Sequence, residues 1–192
     1  MTQSPFLEMT ANTPTVLWND SADPHELAGA ISWGAVGATC NPVIALTTLK
    51  SDPAHWADRI RAYLSRHPQE TEDEIGWAMV KELSVAAAKM FIPAFEKYQG
   101  RNGRLSIQTD PRNWRNAQAL ADQAVEFSQL APNVIVKIPV TAAGVVAAAR
   151  RRAQPLASVN GTRPTVGSRA SRAARTAASP RSPSGLRTET GR

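Results

Sequence analysis

The 192-residue chain holds one cysteine. Cys40 therefore has no partner for an internal disulfide, and no Cys/His cluster at metal-ligand spacing surrounds it, which fits a reducing compartment. No apolar run reaches the ~18 residues of a membrane helix, and the N-terminus lacks a basic segment followed by an apolar stretch. Neither a span nor a secretory signal is expected, so the reading is a soluble cytoplasmic protein. From Arg150 onward Phe, Tyr, Trp, Ile and Met are missing altogether. A segment of Arg, Ala, Ser, Pro, Thr and Gly cannot bury enough apolar surface to offset its ordering entropy, and residues 150–192 are expected to be disordered. They hold 10 Arg and one Glu, a net charge of +9, against −3 for residues 1–149. The high isoelectric point thus belongs to the tail.

What is present upstream has the grammar of alternating strands and helices. Residues 1–13 are polar and without periodicity, and are expected to lie loosely on the surface as a flexible N-terminus. Thr15-Val16-Leu17-Trp18 is the first candidate strand. Asp23-Pro24-His25-Glu26 then reads as a helix start, with Asp as N-cap, Pro at the first position and Glu at the third. Gly34 is placed to stop that helix. Val36 to Cys40 is a second strand, and Asn41-Pro42 caps another helix. Asp52-Pro53 opens a helix with Trp56, Ile60, Tyr63 and Leu64 on one face; Thr71 with Glu74 forms a capping box before a long Ala-rich helix that Pro93 should kink or end. Leu105 to Thr109 is a third strand, and Asp110-Pro111 opens a helix carrying Trp114, Ala117, Leu120, Ala121, Ala124 and Phe127.

The fourth strand, within Asn133 to Thr141, is a run of β-branched apolar residues that reads as fully buried in a parallel sheet. Lys137 sits in its middle. Burial of an ammonium is costly, so a buried Lys137 would be held neutral and nucleophilic, able to condense with a carbonyl as a Schiff base. The other reading is a strand-end lysine whose ammonium reaches solvent while its stem packs.

Strand and helix in alternation, with polar or Asx-Pro residues just past each strand, is the pattern of parallel β/α architecture, whose chemistry gathers at the carboxyl ends of the strands. Asp20 and Asn41 lie just past strands one and two; Gln108 and Lys137 lie in strands three and four. Four strands thus offer one polar group each to a common mouth. Asp23, Asp52 and Asp110 each precede Pro at a helix start and are read as caps; Asp20 is not.

At these residues the chain resembles a known family. Leu17-Trp18-Asn19-Asp20-Ser21-Ala22-Asp23, Gly37-Ala38-Thr39-Cys40-Asn41-Pro42, Leu105 to Arg112 and Val136-Lys137-Ile138-Pro139-Val140-Thr141 stand in the order and approximate spacing of the transaldolase family, over roughly residues 14–148. The resemblance implies an α/β fold, a TIM-type (β/α)8 barrel of which the first four to five strands are present in residues 14–149. It implies a transferase of carbohydrate metabolism, in the pentose phosphate pathway, in which the strand-four lysine forms a Schiff base with a ketose phosphate. An aldose is released, and the retained dihydroxyacetone unit passes to another aldose phosphate. By position Lys137 is similar to the Schiff-base lysine, Asp20 to an aspartate that moves protons at the substrate hydroxyl, and Asn41 to an asparagine that holds substrate. Neither a cofactor nor a metal is implied. A Schiff-base aldolase of the same fold, a lyase, shares every one of these motifs.

Two departures stand out. Where the family has a glutamate acting with a water as acid/base, this chain has Gln108, whose amide cannot carry a proton at neutral pH. Gln108 either orients the water, with Asp20 doing more, or slows the chemistry; as a purely structural residue it would bond a neighbouring loop. A barrel of this type also needs about 250 residues. Ser158-Val159-Asn160-Gly161-Thr162 resembles the fifth strand, making Asn160 and Thr162 candidate substrate ligands, but Arg150-Arg151-Arg152 and Pro155 interrupt the helix before it. The change at Arg150 reads as a truncated gene or a frameshifted C-terminus. Such a half barrel is expected to expose sheet edges and apolar faces, to self-associate, and to have impaired activity. A competing reading is an inactive fragment or an anion or nucleic-acid binder through the Arg-rich tail. The tail lacks aromatic interleaving and any recognisable module, so nucleic acid is not the expected partner.

Overall fold

The computed structural model describes residues 4–153, the side chains of 151–153 excepted. Four strands, β1 (Leu17–Asn19), β2 (Ala35–Cys40), β3 (Arg104–Gln108) and β4 (Val134–Lys137), form one sheet in the order β1-β2-β3-β4. Every neighbouring pair is parallel. Parallel strands laid down in chain order need helical crossovers of one hand, which puts the helices on one side of the sheet. The fold is α/β, with the winding of the first part of a TIM-type barrel.

The crossovers are α2 (Pro24–Ser32) between β1 and β2, then α3 (Pro42–Ser51), α4 (Pro53–Leu64), α5 (Glu72–Met90) and α6 (Ile92–Lys97) between β2 and β3. A 3-10 turn (Pro111–Asn113) and α7 (Ala117–Ser128) lead to β4, and α8 (Ala142–Ala153) follows it. Their starts have the expected chemistry. Asp23 accepts from the N–H groups of His25 and Glu26, Asn41 from Val43 and Ile44, and Asp52 from His55. Thr71 and Glu74 form the reciprocal capping box of α5. A cap of this kind stabilises a helix by about 1 kcal/mol.

The core lies between helices and sheet. Ala38, Cys40, Leu105, Ile107 and Val134 alternate along β2, β3 and β4 and are buried against Met79, Leu83, Ala87 and Phe91 of the α5 layer. Each large side chain buried there stabilises the fold by about 1.5–3 kcal/mol. The opposite face carries Trp18, Thr39, Ser106, Gln108, Ile135 and Lys137, none of them buried. Gly37 is what lets the Trp18 ring of β1 lie over β2: a Cβ there would lie 2.4 Å from that ring.

Three expectations are corrected. Pro5–Asn12 forms a helix, α1, where a loose segment was expected; proline opens it, and Phe6 packs against Trp33 with ring centroids 6.3 Å apart. Asp110-Pro111 opens only the 3-10 turn, and α7 starts separately from its own cap, Asn116, which accepts from the Ala119 N–H. Trp114 therefore lies outside that helix and is exposed, with the Arg115 guanidinium 4.1 Å from its ring centre. Finally, β4 is not fully buried. Among the described residues it pairs only with β3, nothing covers its second face, and Ile135 is 37% exposed.

Among the described residues no helix is long and apolar enough to cross a membrane. The expected disordered tail and the fifth-strand pair Asn160 and Thr162 lie outside the described residues.

Candidate active site

The site is built by holding β4 in one register against β3. Asn133, fully buried at the start of β4, donates from its amide to the carbonyls of Ala88 (2.7 Å) and Gly103 (2.8 Å) and accepts at its backbone oxygen from Leu105 N–H (3.1 Å). Two hydrogen bonds from one buried amide tie the end of α5, the turn before β3 and the start of β4 together. At the other end Thr109 N–H donates to the Lys137 carbonyl at 3.1 Å. Beyond Lys137 the strand stops, because Pro139 has no N–H to give the ladder. Thr141 closes the turn: its N–H donates to Pro139 O at 2.9 Å, and its hydroxyl donates to Trp114 O at 2.8 Å while accepting from Gly144 N–H at 3.0 Å.

That register pairs Ser106 with Ile135 and Gln108 with Lys137. Paired residues on parallel strands point to the same side, ~4.8 Å apart. Thr39 pairs with Ser106 on the same face, and the Thr39 hydroxyl donates to the Asp20 carboxylate just past the end of β1. The carboxyl end of the open face therefore presents, strand by strand, Asp20, Thr39, Gln108 and Lys137. Across three strand intervals Asp20 and Lys137 stand ~14 Å apart in a flat sheet, and closer as it curls.

Lys137 is exposed. The buried amine expected among aliphatic neighbours is thus corrected: among the described residues Lys137 is the last residue of a bordering strand, and its side chain leaves on the uncovered face. The strand-end reading describes it. Asn41 is turned to another task, since its side-chain oxygen accepts from Val43 N–H (2.9 Å) and Ile44 N–H (3.0 Å); its amide NH2 is the group left to face a ligand. Thr39 was missed as a site residue. The signal for it was available: it lies two residues before Asn41 in a strand of period two, on the face that Asn41 continues.

Other polar groups near this end are structural. Asp110, buried, accepts from Arg112 Nε at 3.0 Å and from Nη2 at 2.7 Å, and Arg112 Nη1 reaches Asp73 at 2.7 Å. The Arg112 guanidinium holds the Asp110 carboxyl below its ordinary value, outweighing the opposing effect of burial. Cys40 faces the core, where burial pushes its thiol up. Among the described residues no group of three or more His, Cys, Asp or Glu could hold a metal ion.

The family described as Transaldolase/Fructose-6-phosphate aldolase matches residues 17–163. A transaldolase of Kocuria rhizophila is 33% identical over 129 residues, 66% of this chain and 34% of that protein. Transaldolase 2 of Streptomyces avermitilis is 32% identical over 115 residues, 58% of this chain and 30% of its own length. A transaldolase of Thiobacillus denitrificans is 31% identical over 114 residues, 58% of this chain and 31% of its own. The chain spans about a third of the length of these curated relatives. With most of its length matched, and four parallel strands wound in barrel order, the chain belongs to the transaldolase/fructose-6-phosphate aldolase family.

Proposed function

We propose that this chain carries the nucleophilic half of a transaldolase-type site acting on sugar phosphates. Lys137 adds through its amine to the keto carbon of a ketose phosphate, and loss of water leaves a protonated imine. That imine draws in the electron pair when the carbon–carbon bond one position removed breaks. Asp20 takes the proton of the hydroxyl on the departing carbon, so an aldose leaves and an enamine stays on Lys137. The enamine attacks the carbonyl carbon of a second aldose phosphate, and water returns to release the new ketose. Gln108, beside Lys137, orients the water by hydrogen bonds but supplies no proton of its own. Thr39 fixes the carboxylate of Asp20, and the Asn41 amide offers a donor to substrate oxygens.

The observation that supports this reading most is the register of β3 and β4, which sets Gln108 opposite Lys137 on the face that also holds Asp20 and Thr39. The test is borohydride reduction of the 192-residue chain with a ketose phosphate, followed by peptide mass analysis. Covalent addition at Lys137 that disappears in Lys137→Arg supports the reading; no addition, or addition spread over the surface lysines, defeats it. A lyase of the same fold uses the same first steps, and the family description covers both activities. Supplying a second aldose phosphate separates them: transfer yields a new ketose, whereas a lyase releases free dihydroxyacetone.

A further inference from the structure

We infer that Arg115, held over the Trp114 ring beside the loop that follows β4, captures the phosphate of a sugar phosphate on its way to Lys137. The inference rests on the reading of the site given above. The four segments that follow the strands, residues 20–23, 41, 109–116 and 138–141, hold two cations, Arg112 and Arg115. Arg112 is taken, since its Nε and Nη2 donate to Asp110 and its Nη1 donates to Asp73. Arg115 is exposed, and among the described residues no carboxylate pairs with it. Its guanidinium lies 4.1 Å from the centre of the Trp114 ring, which is itself 47% exposed. That contact engages the charge with the ring face and leaves the N–H donors for an anion, while the ring limits how far the long side chain wanders.

Hydrogen bonds fix this pair near the amine. The Trp114 carbonyl accepts from the Thr141 hydroxyl at 2.8 Å, and from Thr141 back to Lys137 the chain spans at most ~14 Å even when fully extended. At the strand ends Thr109 N–H donates to the Lys137 carbonyl at 3.1 Å. The loops after β3 and β4 are thus tied together on the side of the rim where Lys137 stands. The β1 side has the opposite character: the hollow there is lined by Asp20, Asp23 and Glu26, with apolar and hydroxyl side chains and no cation. A phosphate monoester carries about two negative charges at neutral pH, so it is repelled from that hollow and drawn toward Lys137 and Arg115. Between those two cations the chemistry divides. A guanidinium forks two phosphate oxygens, whereas an ammonium meets them as a point charge, so Arg115 holds the anion and leaves the Lys137 amine for the carbonyl.

The test measures binding of glucitol 6-phosphate to the full 192-residue chain by equilibrium dialysis. This probe has the phosphate and hydroxyls of a sugar phosphate but no carbonyl, so it binds without forming an imine. Arg115→Ala should weaken binding about tenfold and Arg115→Lys less, because the ammonium restores the charge but not the fork. Trp114→Ala should weaken it about threefold by releasing the guanidinium. Circular dichroism matching the parent checks that each variant is folded. In borohydride trapping, Arg115→Ala should raise the half-saturating concentration of a ketose phosphate about tenfold more than that of the same ketose without phosphate. Absence of glucitol 6-phosphate binding, or binding indifferent to Arg115→Ala, overturns the inference. So does equal competition by inorganic phosphate, which would mark a site for the anion alone. The two readings fail separately: binding that depends on Arg115 in a chain that traps no ketose at Lys137 upholds the capture and defeats the imine, and trapping at Lys137 that ignores Arg115 does the reverse.

Discussion

Gln108 stands opposite Lys137 in the parallel register of β3 and β4, on the uncovered face of the sheet. Glutamine there can align a water but cannot exchange a proton with it. Gln108→Glu places a carboxylate beside the amine without changing side-chain length, so imine formation at neutral pH should rise by about tenfold to a hundredfold. The rate of borohydride-trapped product measures this. An unchanged rate would mean that proton transfer at this position does not limit the reaction.

Gly37 and Trp18 are a second coupled pair. Adding a methyl at Gly37 sets it 2.4 Å from the indole, so Gly37→Ala should destabilise the chain by about 1–3 kcal/mol through displacement of Trp18. In a Trp18→Ala background the same substitution should cost much less, since the ring is gone. Urea midpoints of the four proteins test the coupling; equal costs in both backgrounds would refute it.

Asp110 links stability to pH. Its folded-state value lies below the ordinary 3.8, chiefly through its hydrogen bonds with Arg112. A depressed carboxyl stabilises the fold fully above its unfolded value, and that part is lost as pH falls through the folded value. Asp110→Asn should therefore cost about 1–2 kcal/mol at pH 7 and progressively less below about pH 4. Chemical denaturation at a series of pH values gives the two curves, which should converge in acid; curves that stay parallel would rule the linkage out.

Cys40 is 1% exposed and its thiol is raised by burial. Thiolate is the reactive form, so a thiol reagent at pH 8 should label the native chain far more slowly than the urea-unfolded chain. Equal rates would place the thiol outside the core.

Much of the fold was legible because local chemistry specifies it. Asp23, Asn41, Asp52 and the Thr71–Glu74 pair announce helix starts through the orphan N–H groups they satisfy, and the alternation Leu105, Ile107 against Ser106, Gln108 announces which face of β3 is covered. The helix at Pro5–Asn12 was not legible, because Ser4 makes no side-chain cap hydrogen bond and none of its residues is buried, and its aromatic contact, Phe6 on Trp33, joins residues distant in sequence. Nor was the break between Asp110 and α7, where a cap residue starts only one short turn.

The sequence by itself determined the order of the four strands, the caps at Asp23, Asn41, Asp52 and Thr71, and the four motifs that carry the family resemblance, since each depends on residues a few positions apart. Only the tertiary structure decided what surrounds Lys137. An apolar run in the chain says that its residues favour burial, but not whether a second layer is there to bury them. Among the described residues β4 borders the sheet with its inner face open, and the lysine emerges at the rim beside Gln108, because pairing and covering are properties of neighbours distant in sequence.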